Sequence, residues 1–304
     1  MDHPLLDGRS KDIRKRVIHF LESSYLIQRQ SNIVFVCGGS KPGDMRKRFQ
    51  DYFRFNLSEF EFFEPEFAMN NYFSGIDVEP FDIADFEELV GDLSHSIVLF
   101  PEAPGSFAEA GYFSAVPALA EKTILAMNSS KQKRDSFISL GPAKKIQEQS
   151  RFHPNIQIDY ENPDFGMLAE RIRRYPVNKK KKALDILPFG KMPAFELFAL
   201  IREIVSLLTV ATVEDLEFTL RSLFSGHISS SRIRKITSIL VGSGHLFELG
   251  DFGHLAVRSS RSSFMEIREG TKGSRDELLL TVASLYPDAA PEFVQLVSDA
   301  RDAA

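Results

Sequence analysis

Apolar positions change their period along the chain, and the change divides it. Residues Ile33–Cys37, 97–100 and 124–126 are short apolar runs without alternation, the pattern of strands buried on both faces of a parallel sheet. Around them apolar residues recur three or four apart. Ile13, Val17, Phe20, Leu21 and Leu26 predict a leading helix over 10–29, packed on that sheet. Ile83, Phe86, Leu89, Val90 and Leu93 predict another over 82–93. Further strands are expected over 59–67, 122–127 and 156–158, and a closing helix over 165–175. Strands alternating with helices at this spacing imply βα units and a parallel sheet.

The pattern breaks at Pro176. Lys179, Lys180, Lys181 and Lys182 follow, a charge run expected as a solvated linker over 179–192. Three helical segments come next, over 195–208, 213–224 and 229–241. The third is capped by Ser229, Ser230 and Ser231 and ended by Gly242 and Gly244. Apolar stretches 246–249 and 252–257 then flank a Gly250-Asp251 turn. Three helices and a hairpin predict a winged helix-turn-helix. The whole reads as α/β: a doubly wound, flavodoxin/Rossmann-like parallel sheet over 1–178, the basic linker, and an α-rich winged helix-turn-helix domain over 193–304. After Arg268 one or two short helices are expected, packing through 278–280 and 293–297.

On the third helix Ile233, Ile236 and Leu240 share one face. Ser231, Arg234, Lys235 and Ser238 share the other, with Arg232 beside them. Short hydroxyls and cations on an exposed recognition helix suit phosphate contact. The same face also suits a solvated protein-interaction module. Charge sharpens the choice. Residues 171–268 carry 16 basic against 9 acidic side chains, whereas 1–170 carry 18 against 26 and the tail 3 against 7. A basic region inside a chain of net charge -5 points to a polyanionic partner for that region.

Composition narrows the setting. In 304 residues there are 27 phenylalanines, no tryptophan and one cysteine, Cys37, so no internal disulfide forms and a reducing cytoplasm is expected. No leader-like stretch and no long apolar run is seen, so a soluble, cytoplasmic protein without membrane contact is expected. The seven histidines are scattered, and no metal site is expected.

Candidate chemistry centres on residues 96–114. Pro101 and Pro104 end the apolar run. Gly105 and Ser106 are expected to form a turn and the N-cap of a helix starting near Phe107, with Glu109 in its first turn. This is the strand–loop–helix position where open α/β sheets bind ligands. The residues alone leave Glu109 open between a helix-dipole acid and a functional carboxylate. The earlier turn Gly38-Gly39-Ser40 permits close backbone approach to a ligand. It is neither a GxGxxG fingerprint nor a Walker A loop.

Gly105-Ser106-Phe107-Ala108-Glu109-Ala110-Gly111 resembles the Gly-Ser-x-x-Glu-x-Gly motif of nucleoside deoxyribosyltransferases, and is similar to the glutamate motif of the lonely-guy phosphoribohydrolases. The resemblance implies that Glu109 lies beside the anomeric carbon of a ribose. It also implies that Gly38, Gly39, Ser40, Gly105 and Ser106 hold phosphate or ribose, and that Asp85 contacts ribose or base; on spacing alone Asp85 is a solvated first-turn acid. The deoxyribosyltransferases place an acid immediately before the Gly-Ser, where this chain has Pro104, so hydrolysis or transfer from a nucleotide is expected rather than exchange on free deoxynucleosides. The two-part layout resembles the toxic effector of bacterial retron antiphage systems. That resemblance implies an enzyme of N-glycosidic bonds acting on NAD or another nucleotide as substrate, without a cofactor. It implies restraint by a reverse transcriptase and its small DNA–RNA hybrid, in a homo-oligomer or larger nucleoprotein assembly. The alternative is a nucleotide-sensing, DNA-binding transcriptional regulator without catalysis.

Overall fold

A computed structural model describes residues 3–64, 83–131, 135–178, 180–250 and 253–303. These form two compact units, one from residues 30–64 and 83–178, the other from 3–29 and 180–303.

The first unit is built on five parallel strands in the spatial order Glu61–Phe63, Ile33–Cys37, Ser96–Leu99, Thr123–Asn128, Ile156–Ile158. In chain order that is 2-1-3-4-5. Side chains alternate between two covered faces. Val34, Val36 and Val98 join Phe49 and Phe53 of the Met45–Asn56 helix and Leu168 and Ile172 of the Gly166–Arg173 helix in one core. Phe35 points the other way, with its ring centroid 6.3 Å from that of Phe113 on the Pro104–Ala115 helix. Burial on both sides explains why these strands read as unbroken apolar runs. The expected strand over 59–67 is ordered as Glu61–Phe63; its outer part lies outside the described residues.

The second unit differs from expectation at its edges. The helix Lys11–Ser23, expected with the parallel sheet, belongs to this unit, where it packs with helices Val213–Phe224 and Lys272–Ala283. An amphipathic stripe records only that one side is buried, and Val17, Phe20 and Leu21 suit either surface. Tyr25–Gln28, expected as the end of that helix, is a strand. It lies between Lys181–Ala183 and Met265–Ile267 in an antiparallel sheet. From residue 180 on, the segment expected as a basic linker is therefore part of this unit: Lys181 pairs with Glu266 and Lys182 with Glu196, while Leu184, Phe189 and Met192 are buried. Compensated lysines can sit in a strand as well as in a solvated tether.

Helices Ala194–Leu208, Val213–Phe224 and Ser230–Gly242 form the helical part, followed by the antiparallel pair Leu246–Leu249 and His254–Val257. Ala211, between the first two helices, bridges to Leu255. A buried cluster ties this unit to the leading strand. The Tyr25 hydroxyl donates to Glu203 Oε1 at 2.8 Å, and Arg275 donates to the same oxygen at 3.2 Å. The tail helices are Lys272–Ala283 and Pro291–Ala303; Leu278, Phe293 and Val297 are buried, but Leu280 is exposed. Among the described residues no helix is long and apolar enough to cross a membrane.

Candidate active site

Where strand order reverses, a parallel sheet opens a crevice beyond its carboxyl ends. Here the reversal falls between Ile33–Cys37 and Ser96–Leu99. Phe100 N–H donates to the Cys37 carbonyl at 3.0 Å, so the strands stay paired to their ends and the loops after them leave side by side. Glu102 joins those loops. Its carboxylate accepts the Gly39 N–H at 2.8 Å, the Met45 N–H at 2.8 Å and the Arg46 N–H at 3.4 Å. Met45 and Arg46 open the Met45–Asn56 helix, whose N-cap Asp44 makes no side-chain cap bond. Glu102 thus satisfies helix-terminal donors and places a negative charge at the positive end of the helix dipole.

Both glycines of the turn make room for the chain's own acids. A Cβ on Gly38 would lie 2.9 Å from Glu102 Oε1 and 3.0 Å from Arg46 Cβ; one on Gly39 would lie 2.1 Å from Asp44 Oδ2. The Asp44 carboxylate accepts the Lys41 N–H at 2.8 Å, and buried Arg46 donates Nε to the Gly39 carbonyl at 3.1 Å. Of the turn residues expected to meet ligand, Gly39 is buried with its N–H engaged, Gly38 is half-buried and Ser40 is exposed.

The following helix starts at Pro104 rather than near Phe107, since proline's fixed φ and missing N–H suit the first helical position. Ser106 is consequently the third residue of the helix and not its cap. Its Oγ reaches back to accept the N–H groups of Glu102 and Ala103, both at 3.0 Å, and donates to the Ala103 carbonyl at 2.9 Å. Glu109 moves into the second turn. It shares the inward side of the helix with Ser106, Ala110 and Phe113 and is half-buried, with Oε2 shielded from solvent. Gly105 is exposed, and a Cβ there would meet nothing within 4 Å. Asp85 lies in the Ile83–Leu93 helix, with its side chain outside the described residues.

Three further residues of this edge escaped the sequence reading. Glu102 sits between the two prolines of the motif, but nothing local signals that it reaches the first turn. Glu64, directly after the Glu61–Phe63 strand, is buried and accepts Lys47 Nζ at 2.8 and 3.0 Å. The Tyr160 hydroxyl donates to the Ala126 carbonyl at 2.7 Å. Burial, and then the Glu102 charge, push its pKa up and keep it neutral. Among the described residues no three His, Cys, Asp or Glu side chains converge as a metal ion would require.

The predicted recognition face is largely covered. Ser238 is fully buried, its hydroxyl donating to the Lys235 carbonyl at 2.9 Å. Arg232 donates to the carbonyls of Phe189 at 3.1 Å and Met192 at 2.7 Å. Arg234 is half-buried beside Glu214 at 3.5 Å and Glu217 at 3.8 Å. Lys235 is half-buried, and Ser231 is exposed. Segment 189–192 and the Val213–Phe224 helix border this side, which a helical wheel treats as open.

A family model described as "STM3845 retron effector protein" matches residues 42–247, more than half of the chain. Two Escherichia coli proteins are similar over a shorter stretch. The "Retron Ec86 putative ribosyltransferase/DNA-binding protein" is 29% identical over 116 residues, 38% of this chain and 37% of that protein. The "Retron Ec73 putative ribosyltransferase/DNA-binding protein" is 28% identical over 122 residues, 39% of each. The chain thus spans less than two fifths of the length of these relatives.

Proposed function

The chain belongs to the STM3845 retron effector family, and from that premise we propose that its α/β unit is an enzyme cleaving the N-glycosidic bond of a nucleotide such as NAD, with water as acceptor. The observation that carries this reading is the place of Glu109: a half-buried carboxylate on the helix that follows the strand at the sheet's reversal point. Open α/β sheets bind ligands at that position, and a carboxylate beside C1′ can attack it or stabilise an oxocarbenium ion. The names of the similar proteins, which include ribosyltransferase and DNA-binding, agree with it.

In NAD the nicotinamide nitrogen is already cationic. As the C1′–N bond breaks, its electron pair neutralises the ring, and the base leaves without needing an acid. Water then adds at C1′ and gives up one proton. Glu109 supplies the negative charge facing the developing cation, while Gly38, Gly39, Ser40, Asp85, Gly105 and Ser106 shape the crevice around the sugar.

The helical module over 194–257 acts in this proposal as a winged helix-turn-helix that meets nucleic acid. Its contacts fall on Ser231, Arg234 and Lys235, with Arg232 and Ser238 supporting the helix from behind. As a retron effector, the enzyme is held in check by the retron's reverse transcriptase and its DNA–RNA hybrid. The test is to incubate purified protein with NAD and a panel of nucleosides and nucleotides and to resolve the released bases. Release from at least one nucleotide is expected; intact substrates across the panel would sink the enzymatic reading.

A further inference from the structure

We infer that Glu102 closes the first glycine turn to phosphate, so that a ligand enters this corner of the crevice by its uncharged sugar. In dinucleotide-binding sheets the turn after the first strand, at a helix N-terminus, is where a pyrophosphate is held. This chain has the turn and the helix but fills the position itself. The N–H groups of Gly39, Met45 and Arg46 point to Glu102, and that of Lys41 to Asp44. The guanidinium Nε of Arg46, which could have met an anion, faces the Gly39 carbonyl.

An incoming phosphate would face two carboxylates and would have to displace one from three donors. Like charges in contact repel, most strongly on the side of Gly39, Met45 and Arg46, which are buried. The lack of side chains at Gly38 and Gly39 serves the same closure, because a Cβ at either position would collide with Glu102 or Asp44. Glu102 is therefore a specificity-determining residue. The phosphates of a nucleotide substrate lie away from this turn, and removing them changes little here. The statement that the ligand is a nucleotide rests on the proposed function; the closure of the turn does not.

The experiment compares thermal melting of wild type, Glu102→Ala and Glu102→Gln in sodium phosphate and in sodium chloride at matched ionic strength. Glu102→Ala vacates the cradle. It should melt lower in chloride and recover about 2–4 °C more than wild type in phosphate, because an ion that binds only the native state stabilises it. Glu102→Gln, which still fills the space, should show no such recovery. An equal phosphate effect on wild type and Glu102→Ala would overturn the inference. Should Glu102→Ala fail to fold, the amide resonances of Gly39 and Met45 in wild type decide: they stay fixed during a titration with inorganic phosphate if the turn is closed, and their movement refutes it. Phosphate recovery by Glu102→Ala, together with no base release by wild type from any nucleotide, would leave the closure standing and remove only the enzymatic reading.

Discussion

The Ser106 hydroxyl accepts the amide N–H of Glu102 at 3.0 Å, so the motif's serine holds a neighbouring loop. Through that bond Ser106 fixes the residue whose carboxylate spans the two strand ends. Ser106→Ala leaves the Glu102 and Ala103 donors without this partner and should lower stability by about 1–2 kcal/mol in urea denaturation. Base release should fall as well, because the loop carrying Glu102 loses its anchor. A variant with wild-type stability and activity would show that the serine is dispensable.

Glu109→Gln keeps the shape of the side chain and removes its charge. Base release should drop at least about a hundredfold, the scale of losing one transition-state electrostatic partner, while the melting temperature and circular dichroism stay close to wild type. A folded variant with undiminished release would move the chemistry to another carboxylate.

His95 gives the α/β unit an acid sensitivity. It is buried against Phe60, with ring centroids 5.2 Å apart, and beside Arg151. Burial, and then the Arg151 charge, lower its pKa from 6.5 to about 4, against a smaller opposing contribution from a backbone hydrogen bond. The folded state favours neutral histidine, so the unfolded chain binds more protons between these values. The stabilisation is fully present above pH 6.5 and is lost as pH falls towards 4. Between pH 7 and pH 5 the unfolding free energy should drop by about 2 kcal/mol from this group. His95→Gln should flatten that part of the profile, and an unchanged slope would assign the acid sensitivity elsewhere.

On the third helix of the helical module, Arg232 and the pair Arg234 and Lys235 should respond differently to substitution. Arg232→Ala removes two bonds from a charged donor to carbonyls and should lower stability by about 2–3 kcal/mol. Replacing Arg234 and Lys235 together with glutamate should instead weaken binding to a DNA–RNA hybrid. The loss should shrink as salt rises, by a slope of about 0.7–0.9 per phosphate contact, with base release unchanged. Identical salt titrations for wild type and the double variant would remove this face from nucleic-acid contact.

The sequence exposes what is periodic or local. The strands through Val34, Val98 and Leu125 stand out because both sheet faces are covered, and the helices stand out by their stripes. The helix that carries Glu109 was legible because it follows the buried strand directly, whereas the role proposed for Glu109 rests on the resemblance of its motif. Glu102 was missed because its partners Gly39 and Met45 lie 63 and 57 residues away, and no spacing rule spans that distance. Ser238 was assigned to the surface because a wheel projection gives a helix one buried side, whereas this helix has neighbours on more than one. Tyr25–Gln28 was missed because four residues with alternate burial are too short to register as a strand after a strong helical stripe.

That four-residue strand also bears on how the protein is made. Tyr25–Gln28 is the middle of its sheet, and both neighbours, Lys181–Ala183 and Met265–Ile267, lie far later in the chain. A ribosome therefore releases the α/β segment complete while the leading strand still waits for partners. The two units also cannot be parted by a single cut near residue 178. One fragment would carry an unpaired strand, and the other would lack the centre of its sheet, so separable modules require the boundaries 30 and 178 together.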